Sequence, residues 1–125
     1  MKRGDVVWAD LGGPAGRRPV CIVTRDAAIE VLTAVTCAPI TRTIRGIQSE
    51  VELGPEHGLL ERCVITCDNL VTIPKSAIDA EVIGQLGLVQ RVTLDRALAT
   101  RLMFSSDLNR GTHRRPALVQ TSSMG

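Results

Sequence analysis

Two stretches of the sequence place arginine side chains at the end of an apolar run. A glycine-rich loop delivers Arg17 and Arg18 to the start of the run Pro19–Thr24, and a second run ends at Thr41 and Arg42. A guanidinium group presents a planar fork of hydrogen-bond donors that fits phosphate oxygens, and a hydroxyl can donate one more hydrogen bond to the same group. We therefore predict that these two strand ends form one phosphate-binding site.

The same residues also have ordinary structural explanations. An arginine beside a strand most often forms a salt bridge at the surface. A threonine such as Thr41 often ends a strand or enters a turn, and the pair Asp68 and Asn69 is typical of turns. Taken by themselves, these residues leave the structural and the catalytic explanations open.

The composition is that of a single globular domain with very few aromatic residues. The chain has 125 residues, 44% of them hydrophobic, and its only aromatic residues are Trp8 and Phe104. RNA-binding modules that stack bases on aromatic side chains need more of them. We expect Trp8, which alternates with Val6, to lie in the core or in a dimer interface.

Arginine carries almost all of the positive charge. Lys2 and Lys75 are the only lysines among 15 basic residues, and the net charge is +2. A GC-rich genome would give the same bias without any functional meaning. Because basic and acidic side chains balance up to Phe104, an anion-binding site must be a local patch rather than a property of the whole surface.

The four cysteines lack a metal-binding pattern. They lie in apolar runs without a C-x-x-C pair, and His57 and His113 are not at ligand spacing from any of them. The four are Cys21, Cys37, Cys63 and Cys67. We expect buried, reduced thiols, no metal site and no cofactor. Without a signal peptide or a membrane-spanning apolar run, the expected location is the cytoplasm, with no membrane partner.

Short apolar runs separated by turn residues predict a mainly β protein. The predicted strands cover residues 6–11, 19–24, 31–40, 49–53, 63–73 with a break at Asp68-Asn69, and 83–86. Leu94, Leu98 and Leu102 recur at four-residue spacing and predict one helix from Leu88 to about Phe104. Five or six strands followed by a helix indicate a small antiparallel β-barrel with one C-terminal helix.

The end of the chain has a different composition from the rest. Residues 105–125 are polar and basic, and they show no apolar periodicity. We therefore predict a barrel domain over residues 1–104 and a disordered basic tail over residues 105–125.

Several segments, in the same order along the chain, resemble the MazF/PemK family of toxins from bacterial toxin–antitoxin pairs. They are Lys2–Leu11, the glycine-rich loop with Arg17–Val23, Ala38–Thr41, Gly58–Val64, Asp68-Asn69 with Thr72-Ile73, Ile83–Leu86 and Leu94–Leu98. Each motif is weak alone, but the ordered set is specific, and it extends over residues 2–104.

The resemblance implies an SH3-like, PemK-type barrel that forms a homodimer and acts as an endoribonuclease. Members of the family cut single-stranded RNA at short sequences, and a MazE-type antitoxin holds them inactive. The implied substrate is mRNA, with tRNA and rRNA as alternatives. Without a metal, the 2′-hydroxyl attacks the adjacent phosphate, which leaves a 2′,3′-cyclic phosphate and a 5′-hydroxyl end.

The resemblance also assigns roles to individual residues. Arg18 matches the arginine of the R-P-[VA] motif, which is implicated in catalysis, and Thr41 matches the Thr or Ser that closes the third strand. Asp68 matches an acidic residue used by the Kid/PemK branch. That branch has an arginine two residues earlier, where this chain has Thr66, so the resemblance favours a site built on Arg18 and Thr41.

Within this site, each residue suits a different task. Arg18 suits the stabilisation of charge on the phosphate but is a poor base, because its pKa is about 12.5 to 13.8. Asp68 is the candidate base, or it holds Arg18 or an RNA base in place. Further RNA contacts are predicted at Arg17, Arg42, Arg45, Asn69 and His57.

Two other functions compete with the ribonuclease. The first is a non-enzymatic, CcdB-like toxin of the same fold that binds DNA gyrase. Such a protein would not need the Arg18–Thr41 pair, and its decisive residues lie at its C-terminal end. The second is a barrel that only binds RNA, which the scarcity of aromatic residues disfavours.

Overall fold

The computed structural model describes the backbone of residues 1–112 and the side chains of residues 1–100. In this part of the chain, seven strands and two α-helices follow one another. They are β1 (Asp5–Asp10), β2 (Arg17–Ile22), α1 (Asp26–Val31), β3 (Ala34–Thr41), β4 (Glu50–Leu53), β5 (Cys63–Thr66), β6 (Val71–Pro74), β7 (Ile78–Gln85) and α2 (Leu88–Thr112).

The strands form one antiparallel sheet in the order β4-β5-β3-β2-β1-β7. Strand β6 pairs with the first half of β3, and β5 pairs with its end. The predicted class, a mainly β protein with one C-terminal helix, is confirmed. Within the described residues β4 and β7 do not pair, so the sheet is curved but not closed by a hydrogen-bonded ladder.

Two glycines bring the backbone together where that ladder is missing. A Cβ atom on Gly58, which has a φ of +87°, would lie 1.9 Å from the carbonyl oxygen of Ile83. A Cβ atom on Gly84 would lie 1.7 Å from the carbonyl oxygen of His57. Only glycine permits so close an approach, and it lets the loop after β4 lie directly against β7.

The central strands bury both of their faces. Val6 and Cys21 belong to a cluster that includes Leu94 and Ala97 of α2. Val7 and Ile22, the next residue along each strand, belong to a second cluster on the other face, which α1 covers with Ile29. Burial on both faces explains why these strands read as continuous apolar runs rather than as alternating ones.

Several element boundaries differ from those predicted. Strand β3 begins at Ala34 rather than at residue 31, because residues 26–31 form α1 and bury Ile29. The run 63–73 is two strands, β5 and β6, separated at the predicted turn. Strand β7 is longer than predicted, because its exposed middle lacks the apolar pattern that marks a strand.

Helix α2 continues to Thr112, beyond the predicted end near Phe104. It therefore enters the segment for which the sequence predicts a tail, and residues 113–125, with His113, lie outside the described part. No helix within the described residues is long and apolar enough to cross a membrane. The early part of α2 buries Leu94 and Ala97 completely, as the leucine spacing predicts.

All four cysteines are buried and reduced, as predicted. Desolvation raises the pKa of Cys21 and of Cys37 from 9.0 to about 12, and it raises the pKa of Cys63 as well. A thiol with a raised pKa forms little thiolate at neutral pH, and thiolate is the reactive form. The cysteines therefore serve as small apolar side chains of the core.

Candidate active site

The pairing of β2 with β3 brings the two arginine-bearing strand ends together. Val20 lies opposite Pro39 and Cys21 lies opposite Ala38. Extending this antiparallel register by two residues places Arg18 opposite Thr41. Residues that face each other across two adjacent strands project from the same face of the sheet. The side chains of Arg18 and Thr41 are therefore neighbours.

The first of two clefts at this strand end has an apolar wall and a basic rim. Its volume is about 690 Å³, and the rim includes Arg17, Arg18, Thr41 and Arg42. The apolar wall is formed by Trp8, Pro19, Ile40, Leu59, Leu60 and Ile83. A wall of this kind can accommodate the flat face of a nucleobase, while the rim can hold a phosphate.

The second cleft is smaller. Its volume is about 410 Å³, and its polar lining includes Thr43, Arg45, Glu50, Thr66 and Asn69. Three residues line both clefts: Arg18, Thr41 and Thr43. The Arg18–Thr41 pair therefore marks the place where the two clefts meet.

The guanidinium of Arg18 uses few of its hydrogen-bond donors within the protein. Its Nε donates a single hydrogen bond of 3.3 Å to the carbonyl oxygen of Ala15. No carboxylate of the described chain pairs with it. Because the loop before β2 holds the side chain only at Nε, both terminal nitrogens can donate to an oxyanion. This is the geometry that an electrostatic stabiliser of a phosphate requires.

The other predicted RNA-binding arginines fall into two groups. Arg17 forms an ion pair with Asp79 and lies over the ring of Trp8, 5.2 Å from its centroid. Arg42 Nη1 lies 2.9 Å from Glu61 Oε2. Both positive charges are thus already balanced.

Arg45 resembles Arg18, because its guanidinium is not paired with a carboxylate of the described chain. Its backbone N–H donates to Glu50 Oε1 at 3.0 Å. Asn69 shares its cleft. These two side chains are therefore available in the second cleft without the loss of an existing ion pair.

The hydroxyl of Thr41 is positioned by the turn that follows β3. Its Oγ1 accepts a hydrogen bond of 3.2 Å from the backbone N–H of Thr43. That contact uses an acceptor site and leaves the hydroxyl proton available. Thr41 can therefore donate to a phosphate oxygen beside Arg18.

Asp68 and His57 line neither cleft. One carboxylate oxygen of Asp68, Oδ2, accepts a hydrogen bond from the hydroxyl of Ser49. His57 is buried, and its Nδ1 accepts a hydrogen bond of 3.3 Å from the backbone N–H of Gly54. Their predicted roles, as a base and as an RNA contact, stay predictions.

Sequence reasoning missed several residues that line the clefts. Trp8, expected in the core or in a dimer interface, is 37% exposed and forms part of the apolar wall of the first cleft. Thr43 follows Thr41 by two residues, a spacing that could have identified it. Glu61 carried no such signal, because its place beside Arg42 depends on the pairing of β3 with β5. Within the described residues, no group of three or more potential metal ligands lies together.

Known proteins with a similar sequence are bacterial endoribonucleases. The family described as PemK-like, MazF-like toxin of type II toxin–antitoxin system matches residues 2–102. Endoribonuclease MazF3 of Mycobacterium tuberculosis is 42% identical over 81 residues, which are 65% of this chain and 78% of that protein. Probable endoribonuclease MazF5 of the same organism is 36% identical over 109 residues, or 86% of this chain and 94% of that protein.

Solved structures lead to the same family. The Mycobacterium tuberculosis toxin MazF-mt6 aligns with a TM-score of 0.73 and 36% identity, covering 79% of this chain and 96% of that chain. An endoribonuclease from a mycobacterial species was solved in complex with its cognate antitoxin. It aligns with a TM-score of 0.72 and 29% identity, covering 82% of this chain and 95% of that chain. With a matching fold and a family match over residues 2–102, the chain belongs to the PemK-like, MazF-like toxins of type II toxin–antitoxin systems.

Proposed function

We propose that this chain is the toxin of a type II toxin–antitoxin pair and that it cuts single-stranded RNA at the Arg18–Thr41 pair without a metal ion. The observation that carries the proposal is the guanidinium of Arg18. It has no carboxylate partner in the described chain, and it lies beside a hydroxyl where two clefts meet. The relatives named as endoribonucleases support the activity.

The reaction would place the scissile phosphate between Arg18 and Thr41. The 2′-hydroxyl loses its proton and attacks the phosphorus, the bond to the 5′-oxygen breaks, and that oxygen takes up a proton. Negative charge builds up on the non-bridging oxygens during the attack. Arg18 stabilises this charge with its free N–H groups, and Thr41 donates one further hydrogen bond. DNA would survive, because it lacks the 2′-hydroxyl.

Asp68 remains the proposed base, although its side chain lines neither cleft. It precedes Asn69, which lines the second cleft, and within the described chain only its Oδ2 takes part in a hydrogen bond. Its Oδ1 is thus available to accept a proton. His57 is left out of the proposal because its ring is buried and its Nδ1 is already used.

The two clefts would receive the nucleotides on either side of the cut. The apolar wall of the first cleft suits a base, with Trp8 as a stacking surface. Arg45 and Asn69 of the second cleft suit the next phosphate and the edge of a base.

The proposed partners follow from the family. They are single-stranded RNA, a MazE-type antitoxin and a second copy of this chain, in the cytoplasm. A mycobacterial relative was solved with its cognate antitoxin, which supports an antitoxin here. The gyrase-binding alternative is not favoured, because the named relatives are endoribonucleases.

A cleavage assay in EDTA tests the proposal. Purified protein is incubated with a long single-stranded RNA, and the fragment ends are mapped. We expect discrete cuts with 5′-hydroxyl ends, and a loss of about 10²- to 10³-fold in rate for Arg18→Ala, the usual effect of removing an oxyanion donor.

The matched control for this assay is Arg62→Ala. Arg62 is an exposed arginine that lines neither cleft, so its removal should leave the rate unchanged. A folded protein that cuts no RNA, or an Arg18→Ala variant as active as Arg62→Ala, would refute the proposal.

A further inference from the structure

Two of the arginines at the rim of the first cleft are already neutralised by carboxylates of the same chain. Arg17 pairs with Asp79, and Arg42 pairs with Glu61 at 2.9 Å. We call these two the rim pairs. Glu61 itself lines the first cleft, beside the residues that would hold RNA. An RNA phosphate can reach the full charge of Arg42 only if Glu61 gives up its hydrogen bond.

The rim pairs contribute little to the stability of the fold. The side chains of Arg42 and Glu61 are 76% and 63% exposed. An ion pair so exposed to water contributes little to folding, because solvent screens it. Their main effect is therefore on the electrostatic field inside the cleft, where each carboxylate cancels the positive charge of one arginine.

We infer that Glu61 is a specificity-determining residue that competes with RNA phosphate for Arg42. The inference rests on the proposed function. Arg18 and Arg45 attract any RNA backbone, whereas Arg42 responds only to a phosphate placed well enough to displace Glu61. The carboxylate thus lowers the affinity for RNA in general and makes binding more sensitive to how the strand lies in the cleft.

A similar ion pair, formed by the residue that follows Glu61, provides the control. Arg62 and Glu52 lie 2.8 Å apart, with side chains 69% and 57% exposed, and neither residue lines a cleft. Glu61→Gln and Glu52→Gln each remove one negative charge from an exposed pair. They differ in whether the arginine that is released faces the cleft.

The experiment measures the binding of RNA that cannot be cut. A pool of single-stranded 2′-O-methyl oligonucleotides of random sequence is titrated at several salt concentrations. We expect Glu61→Gln to bind about three- to tenfold more tightly than the wild type at low salt. We also expect the slope of the logarithm of its binding constant against the logarithm of the salt concentration to be steeper by about 0.7. This is the contribution of one added phosphate contact on a single strand. Glu52→Gln should match the wild type.

A double-mutant cycle separates the release of Arg42 from a general loss of negative charge. In an Arg42→Gln background, Glu61→Gln should lose most of its effect, because no arginine remains to be released. Equal gains with and without Arg42, or a Glu61→Gln variant that behaves like Glu52→Gln, would overturn the inference.

The same titration tells whether the proposed function has failed instead. If the wild type binds no RNA in this titration and cuts none in the EDTA assay, the proposed function is wrong. If Arg18→Ala weakens binding and Glu61→Gln does not strengthen it, only the role of Glu61 is wrong.

Discussion

A half-buried arginine lies beside each end of strand β2, and the two side chains are used in opposite ways. Arg3, which precedes β1, lies beside the far end, where β2 stops at Ile22, and Arg18 lies at the near end, where β2 begins. At the far end, Arg3 donates from Nη1 to the carbonyl oxygen of Val23 and from Nη2 to Asp95 Oδ1 at 2.8 Å. At the near end, Arg18 makes one hydrogen bond of 3.3 Å, to a backbone oxygen. Arg3 connects the start of the chain to α2, whereas Arg18 is left with unused donors.

Arg3 and Arg18 thus differ in how many of their guanidinium donors the protein itself uses, rather than in residue type or in the presence of a cleft. A cleft of about 530 Å³ lies beside Arg3 and also contains Arg25 and Thr24. A cleft and two arginines are therefore present at both ends. At the far end, however, Arg3 is committed to the fold, and the hydroxyl of Thr24 accepts a hydrogen bond of 2.7 Å from the backbone N–H of Thr36.

The largest effect we predict is a pH-dependent loss of stability. It arises from two buried thiols in the middle of the sheet, between the two ends of β2. The pKa values of Cys21 and Cys37 are raised by burial to about 12, from 9.0. Below pH 9 both the folded and the unfolded states keep these protons, so the contribution of the thiols to stability is fully present. Between pH 9 and pH 12 only the unfolded state releases them, and the free energy of unfolding falls.

At pH 10 this loss should amount to roughly 3 kcal/mol for the two thiols, since each loses about 1.4 kcal/mol per pH unit above 9. Urea unfolding at pH 8 and at pH 10 measures it, and the absence of tyrosine removes phenols as competing groups. Cys37→Ala should remove about half of the pH dependence. If the stability is equal at the two pH values, the thiols are not buried as described.

Much of the fold could be predicted from the sequence, because the central strands bury both faces. Continuous apolar runs predict β1, β2 and β3, and the leucine spacing predicts α2. The signal was incomplete at α1, where the sequence predicts only a turn or a single helical turn over residues 25–28, and at β7. Residues 26–31 contain Ile29 and Val31, which have strand propensity, but tertiary packing makes them helical. Strand β7 has an exposed polar middle and is held by its hydrogen bonds to β1.

The site was less predictable, because charge pairing depends on contacts between distant segments. Arg18 and Thr41 could be linked because both lie at strand ends. That Arg42 meets Glu61, or that Arg17 meets Asp79 over Trp8, depends on the positions of β5 and β7 and has no local signature. The burial of His57 also escaped prediction, because it follows from the backbone contact at Gly58 and Gly84.

A smaller effect is expected from the removal of the structural arginine. Arg3→Ala should lower the free energy of unfolding by about 1–2 kcal/mol, because it removes a charged hydrogen bond to Val23 and the link to Asp95. RNA cleavage at a temperature where the variant is folded should stay within about twofold of the wild type, since the Arg18 site is untouched.

Urea unfolding and the EDTA cleavage assay together measure both quantities. Arg25→Ala is the control, because Arg25 lines the same cleft but its side chain makes no hydrogen bond or ion pair in the described chain. A loss of cleavage in folded Arg3→Ala would contradict the division of roles between the two ends of β2.

The smallest effect concerns the two threonines that accompany these arginines. Thr41→Val keeps the shape of the side chain but removes the hydroxyl that we propose donates to the phosphate. We expect cleavage to slow by about tenfold, which is about 1.4 kcal/mol of transition-state stabilisation, with little change in stability. Thr41→Ser should restore most of the rate, because it restores the donor.

We expect the opposite result for Thr24→Val at the far end of β2. The hydroxyl of Thr24 accepts a hydrogen bond from the backbone N–H of Thr36, so its loss leaves that donor unsatisfied. The variant should lose about 1–2 kcal/mol of stability without slower cleavage. Single-turnover cleavage rates and urea unfolding of both variants measure the contrast. If Thr41→Val cuts RNA at the wild-type rate, the hydroxyl only shapes the turn to Thr43, and Arg18 stabilises the phosphate without its neighbour.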